Sequence, residues 1–218
     1  IDGDGDLDAI VPAGFLACAF IPGGQPCGSL QWFENTGDDF VRHTIVELGA
    51  ELFFHIGLFE DIDGDGIKDL LTVGEQRPAP GMGEDRAVTM WFKGNTSELR
   101  FETEARIIGN GMGSLPTLID LDGDGKLDVV SSCEGIDRTM YVHWAPAKRG
   151  NYWKPRAWQT KPIPSTKGKQ MWMFATPAQI DGVGAKDLFV SSKGGNATIG
   201  WLRRKTDSGR DVSALEFI

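Results

Sequence analysis

Residues 61–71 read DIDGDGIKDLL, with four aspartates in nine positions, two glycines between them and an apolar run following at once. Carboxylates crowded into one turn repel unless a positive charge sits among them. A hard cation meets that need. Ca2+ takes roughly six to eight oxygen ligands, and alternate residues of a tight loop can aim their carboxylates at one centre. Counted from Asp61, positions one, three and five are Asp61, Asp63 and Asp65. Position seven, Ile67, offers its backbone carbonyl, and position nine is Asp69. Gly64 and Gly66 permit the positive-φ turns that wrap a chain around an ion. One copy alone would also read as an acidic, glycine-rich turn.

The pattern recurs. DLDGDGKLDVV at 120–130 supplies Asp120, Asp122, Asp124, the Lys126 carbonyl and Asp128. DGDGDLDAIV at 2–11 supplies Asp2, Asp4, the Asp6 carbonyl and Asp8, and its first ligand is expected to precede Ile1. In QIDGVGAKDLFV at 179–190, Gln179 and Val183 replace two of the aspartates and leave Asp181 and Asp187. That fourth loop is expected to be metal-free, with Lys186 supplying part of the missing positive charge. Asp2, Asp63, Asp122 and Asp181 are spaced by 61, 59 and 59 residues, which is an internal repeat.

The loop type follows from its flanks. An EF-hand places an acid at position twelve and helices on both sides. Here position twelve is Thr72 or Ser131, and the segments that follow, DLLTV and DVVSS, are short and β-branched. They read as strands. Around each loop the repeat holds four strand-like segments, for example HIGLFEDI, DLLTVG, AVTMWFKG and RFETEARII. Trp32, Trp91, Trp144 and Trp201 recur at similar phase and are expected to pack between sheets. Four strands in about 59 residues match one propeller blade, and no helical period is sustained.

The D-x-D-x-D-G-x-x-D loop running into a strand resembles the FG-GAP/VCBS repeats, the blades of integrin α-type calcium-binding β-propellers. The resemblance implies an all-β fold of four-stranded antiparallel blades: blade 1 at 1–48, blade 2 at 49–108, blade 3 at 109–164 and blade 4 at 165–218. Blade 1 lacks its first strand. About four blades are expected from a larger, seven-bladed ring, completed by further sequence or by a second chain. The resemblance further implies Ca2+ as cofactor, an extracellular or secreted location, and a binding or adhesion role toward a glycan or protein ligand. The alternative is the propeller portion of a secreted carbohydrate-active enzyme, a polysaccharide lyase or sugar dehydratase, with catalytic residues outside this chain.

Composition narrows the function classes. The net charge is −9, from 31 acids and 22 bases. Eleven of the acids are loop aspartates at side-chain ligand positions, so the rest of the surface is nearly neutral. That excludes the broad positive footprint nucleic-acid binding requires. No apolar run approaches the ~20 residues of a membrane span. Residues 148–169 carry seven Lys or Arg and no acid, and read as a solvated edge strand or, alternatively, as a contact for an anionic polysaccharide or acidic protein surface. Cys18 and Cys27 flank a long loop, where a disulfide would contribute about 2.5 kcal/mol through loop entropy. Cys133 is left over as an expected buried strand residue. Asn95 and Asn196 begin N-glycosylation sequons.

No catalytic motif is present. There is no G-x-S-x-G elbow, no H-E-x-x-H and no phosphate-binding glycine loop. Recognition in a propeller resides on loops at one face, and six residues are expected there: His55, Glu75, Arg86, Glu134, Arg138 and Trp172. Trp172 is expected to offer an aromatic platform for a sugar ring.

Overall fold

A computed structural model of the chain describes residues 1–15, 26–76, 86–97, 100–109, 115–133, 137–154, 156–183, 186–204 and 209–218. Cys18 and Glu134 lie outside the described residues, as does the side chain of Cys133. The fold is all-β, built from four antiparallel sheets. Sheet 1 holds β1 (Ala9–Ala13), β2 (Gly28–Asn35) and β3 (Phe40–Ala50). Sheet 2 holds β4 (Phe53–Phe54), β5 (Leu58–Glu60), β6 (Asp69–Gln76), β7 (Arg86–Phe92) and β8 (Arg106–Gly109). Sheet 3 holds β9 (Thr117–Ile119), β10 (Asp128–Cys133), β11 (Thr139–Trp144) and β12 (Gln159–Pro162). Sheet 4 holds β13 (Met171–Ala178), β14 (Asp187–Lys193), β15 (Ile199–Arg204) and β16 (Leu215–Phe217).

Sheets 3 and 4 run as simple meanders of neighbouring strands. In sheet 2, β4 and β5 both pair with β6 and so form one interrupted strand. The interruption has a steric side. A Cβ at Gly57 would come within 2.5 Å of Ile10 Cγ2, so only glycine lets the chain pass there. Thr72 Oγ1 donates to the Ile56 carbonyl at 2.5 Å and satisfies backbone that the ladder leaves out.

Two compact units form, one of residues 1–61 with 65–107 and one of 62–64 with 108–218. In the first, Leu30, Trp32, Ile45, Phe54, Leu70, Val88, Met90, Phe92 and Phe101 make one core. In the second the core joins sheets 3 and 4 through Val130, Met140, Val142, Trp144, Trp172, Leu188, Val190 and Leu202. Each large apolar side chain so buried contributes about 1.5–3 kcal/mol.

Strand register corrects one expectation. Trp32, Trp91 and Trp201 stand opposite Ile10, Leu71 and Phe189, at matching positions of their sheets. In sheet 3 that position, opposite Val130, is Val142, and Trp144 comes two residues later. The two-residue strand period keeps Trp144 on the same face, so the pattern of tryptophans conceals the shift. His143 then occupies the position held by Phe33, Phe92 and Leu202 elsewhere. It is fully buried, with Nε2 2.7 Å from Ser131 Oγ and Nδ1 2.9 Å from Thr160 Oγ1. Burial lowers its pKa to about 3.

One carboxylate recurs as a brace. In sheet 3, Asp128 accepts the Leu121 N–H (3.1 Å) and the Ala145 N–H (2.8 Å). In sheet 4, Asp187 accepts from Ile180 (3.1 Å) and Arg204 (2.9 Å). Asp8 accepts from Asn35 (2.9 Å), and Asp69 from Gly94 (2.8 Å). The loop is thereby tied to the end of the strand that pairs with the one it leads into.

Two predictions follow from these buried groups. Asp187→Ala should cost about 2–4 kcal/mol in urea unfolding, because it strands buried backbone donors, and the loss should be the same with and without chelator. The unfolded chain protonates His143 below pH 6.5, whereas the folded chain resists to about pH 3. Its contribution is therefore complete above pH 6.5 and falls by about 1.4 kcal/mol per pH unit below that. Imidazole NMR at pH 5 should show His143 neutral, and His143→Gln should lose less stability than the parent between pH 7 and pH 5.

Candidate metal centre

Two loops bring their carboxylates together. Asp61, Asp63 and Asp65 each offer an oxygen, all within 4.8 Å of one another, and so do Asp120, Asp122 and Asp124. Glycines at positive φ shape both loops, at 74° and 88° for Gly64 and Gly66 and at 79° and 83° for Gly123 and Gly125. Backbone N–H groups of the turn hold the first carboxylate of each loop. Asp61 accepts from Asp65 (3.0 Å) and Gly66 (2.8 Å), and Asp120 from Gly123 (2.8 Å) and Gly125 (3.0 Å). The donor set is oxygen only, as a hard cation requires, and Ile67 and Lys126 stand where a carbonyl ligand is expected.

Cationic side chains reach the same carboxylates. Lys93 Nζ contacts Asp65 Oδ2 and lies 3.5 Å from Asp69 Oδ1. Arg210 Nε donates to Asp122 Oδ2 at 2.6 Å, and its Nη2 donates to Asp124 Oδ2 (3.2 Å) and to the Ala145 carbonyl (3.1 Å). Its guanidinium also lies 5.8 Å from the Trp144 ring centre. Burial alone would raise the Asp124 carboxyl, but the Lys126 and Arg210 contacts outweigh it and hold that group below its usual range. Asp128 behaves oppositely. Burial pushes it up to about 6 despite the Ala145 and Leu121 N–H groups, and the neighbouring Asp122 charge adds to the rise.

The outer loops differ. Asp2, Asp4, Asp6 and Asp8 do not converge as the central two sets do. Asp2 and Asp4 accept instead from the Asp4 and Asp6 N–H groups, both at 3.1 Å, closing local turns. In the fourth loop the Gln179 amide oxygen accepts from Gly182 (3.1 Å), and Val183 is half exposed. Its counter-charge is Arg203, which binds Asp181 at 2.7 Å, so the positive charge expected of Lys186 comes from the third strand instead. The register makes this legible afterwards, because Arg203 holds in sheet 4 the position of Lys93 in sheet 2.

The expected recognition residues are not gathered alike. In the first unit, His55 Nε2 lies 3.0 Å from Glu75 Oε1 and both side chains are nearly or fully buried, while Arg86 is exposed at the start of β7. In the second, Arg138 is exposed with φ 54°. Trp172 corrects its expectation. It is fully buried, donates its indole N–H to the Thr166 carbonyl (3.0 Å) and packs edge-on to Phe217 at 5.1 Å, so no ring face is open to a sugar.

Cys27 is disulfide-bonded. In the basic stretch, Tyr152 and Trp158 are buried against each other with ring centres 5.4 Å apart, and Trp153 is about half exposed. Sequence reasoning missed a cavity of about 280 Å³ lined by Asp2, Trp32, Glu34, His43 and Arg100, where His43 stacks on Trp32 and Nε2 meets Glu34 Oε2 at 2.7 Å. Its residues come from three distant segments, which no local motif joins.

The described residues contain no helix long and apolar enough to cross a membrane. No curated protein and no solved structure matches the chain. Residues 61–131, which span both converging aspartate loops and the strands between them, match the family model of the FG-GAP-like repeat, and this part of the chain is FG-GAP-like repeat sequence.

Proposed function

We propose that the chain is a calcium-stabilised, extracellular β-propeller module that binds a glycan or protein ligand. The observation that carries this reading is the convergence of three carboxylates in each of two successive loops, inside the stretch that matches the FG-GAP-like repeat. Asp61, Asp63, Asp65 and Asp69 would hold one Ca2+ with the Ile67 carbonyl. Asp120, Asp122, Asp124 and Asp128 would hold a second with the Lys126 carbonyl. The bound ion neutralises the clustered charge and so stiffens the loop between the first and second strands of each sheet. Asp69 and Asp128 can serve both roles, since each carboxylate oxygen has a second lone pair beside the one used by the brace. Lys93 and Arg210 contact the same oxygens and would compete with the ion. Extracellular calcium levels suit loops of modest affinity.

Recognition in this reading falls to strand ends away from the metal loops. β6 and β10 begin at the loop aspartates Asp69 and Asp128, so Arg86, opposite Gln76, and Arg138, one residue past the far end of β10's pairing, lie at the other end of their sheets. The guanidinium groups suit sugar hydroxyls, carboxylates or an acidic protein surface.

Calorimetric titration of chelator-treated protein should give two Ca2+ per chain and a raised melting temperature. Asp122→Asn should reduce this to one and Asp181→Asn should leave it at two. No binding at millimolar Ca2+, or three equal sites, contradicts the assignment. Removing the competing ammonium in Lys93→Gln should tighten one site by about tenfold. On a glycan array and in pull-downs, Arg86→Ala or Arg138→Ala should weaken whatever ligand the parent binds; retention by both places recognition elsewhere.

A further inference from the structure

In three of the loops the aspartate at position three shares its surroundings with an arginine from a strand connection. Asp122 binds Arg210, which lies between β15 and β16. Asp63 has Arg149, between β11 and β12, at 3.9 Å, and both belong to the second unit. In the first unit, Asp2 lines one cavity together with Arg100, which lies between β7 and β8. Each of these arginines therefore sits in the connection from the third to the fourth strand of a sheet. The recurrence makes the position a property of the repeat, and Arg210 is its most fully formed case.

Arg210 occupies the oxygens that the turn leaves over. Asp122 Oδ1 and Asp124 Oδ1 accept the Asp124 and Lys126 N–H groups, at 3.1 and 3.0 Å. The Oδ2 atoms of the same two aspartates accept from Arg210, at 2.6 and 3.2 Å. An ion held by these carboxylates needs the same oxygens. A second lone pair does not resolve the conflict, because both claimants are positive and repel at such short range. The segment that carries Arg210 is otherwise held within sheet 4. Arg204 Nη2 donates to the Gly209 carbonyl (2.9 Å), and Asp211 accepts the Ser213 N–H (2.9 Å). Arg210 ties that segment to sheet 3 through Asp122, Asp124 and the Ala145 carbonyl.

We propose that Ca2+ and Arg210 exchange on the 120–128 loop, so that binding the ion unties residues 209–214 of sheet 4 from sheet 3. This switch rests on the calcium reading of that loop. The ion stiffens its own loop and loosens a connection in the neighbouring sheet. The coupling runs both ways: whatever holds 209–214 against sheet 3 weakens the ion by the same factor.

Hydrogen exchange of the 218-residue chain, read by mass spectrometry in chelator and then in millimolar Ca2+, tests this. Ca2+ should slow exchange across 120–128 and speed it across 209–214 by at least about tenfold. The Arg210 side chain is 30% exposed, so Arg210→Gln should keep the fold. In that variant 209–214 should exchange fast in both buffers. Calorimetry should show it binding one Ca2+ about tenfold tighter than the parent does, because the guanidinium no longer blocks the loop. Slowing across 120–128 with 209–214 unchanged in the parent overturns the switch and leaves the calcium reading standing. Parental affinity in Arg210→Gln does the same. No slowing across 120–128 in millimolar Ca2+ overturns both.

Discussion

One hydrogen-bonded carboxylate organises each sheet. In sheets 3 and 4 the aspartate closing the loop is the first residue of the second strand, and it accepts backbone N–H groups from the loop and from the end of the third strand or the residue after it. A buried donor left without an acceptor costs about 1–3 kcal/mol, so the brace is worth more than an average hydrogen bond. It also fixes where the loop begins relative to the ladder. Sheet packing depends on the same anchor, since the apolar residues at the next positions, such as Val129 and Leu188, are aimed by the strand it starts.

Concentrated negative charge in the loops of sheets 2, 3 and 4 is met by a different cation in each. Lys93 comes from the end of the third strand of sheet 2, Arg203 from the equivalent place in sheet 4, and Arg210 from the segment leading to β16. These contacts lie in partly buried surroundings, where charge pairs are screened less than on an open surface. Sheet 3 has no room for a cation at the Lys93 position, because Trp144 stands there. Arg210 reaches in from sheet 4 and stacks over that same tryptophan. The charge requirement and the packing requirement of sheet 3 thus share one residue pair.

Much of this was legible in the sequence. The 59-residue spacing and the strand after each loop appear in the sheets, and sheets 3 and 4 hold the four expected strands, because period-two patterning and glycine-rich turns are local signals. The clustering of Asp61, Asp63 and Asp65, and of Asp120, Asp122 and Asp124, was equally readable from alternation. What escaped was set by register and burial. Trp144 looked in phase with the other tryptophans, yet it is two residues on. Trp172 looked available to a ligand, yet the core claims it through Thr166 and Phe217. Arg203 and Arg210 were invisible as partners because the residues they join are 22 and 88 positions apart.

The fourth loop carries a lesson about how such repeats diverge. It has lost two of its loop acids while keeping Asp187 and its two backbone bonds, and an arginine balances the Asp181 that remains. Architecture and ion chemistry are therefore separable mutational targets within one short segment. A repeat can exchange its outer loop acids while its sheet keeps the same anchor, provided the bracing aspartate is retained. Copies with different loop charge can therefore stand side by side in one chain on the same sheet scaffold.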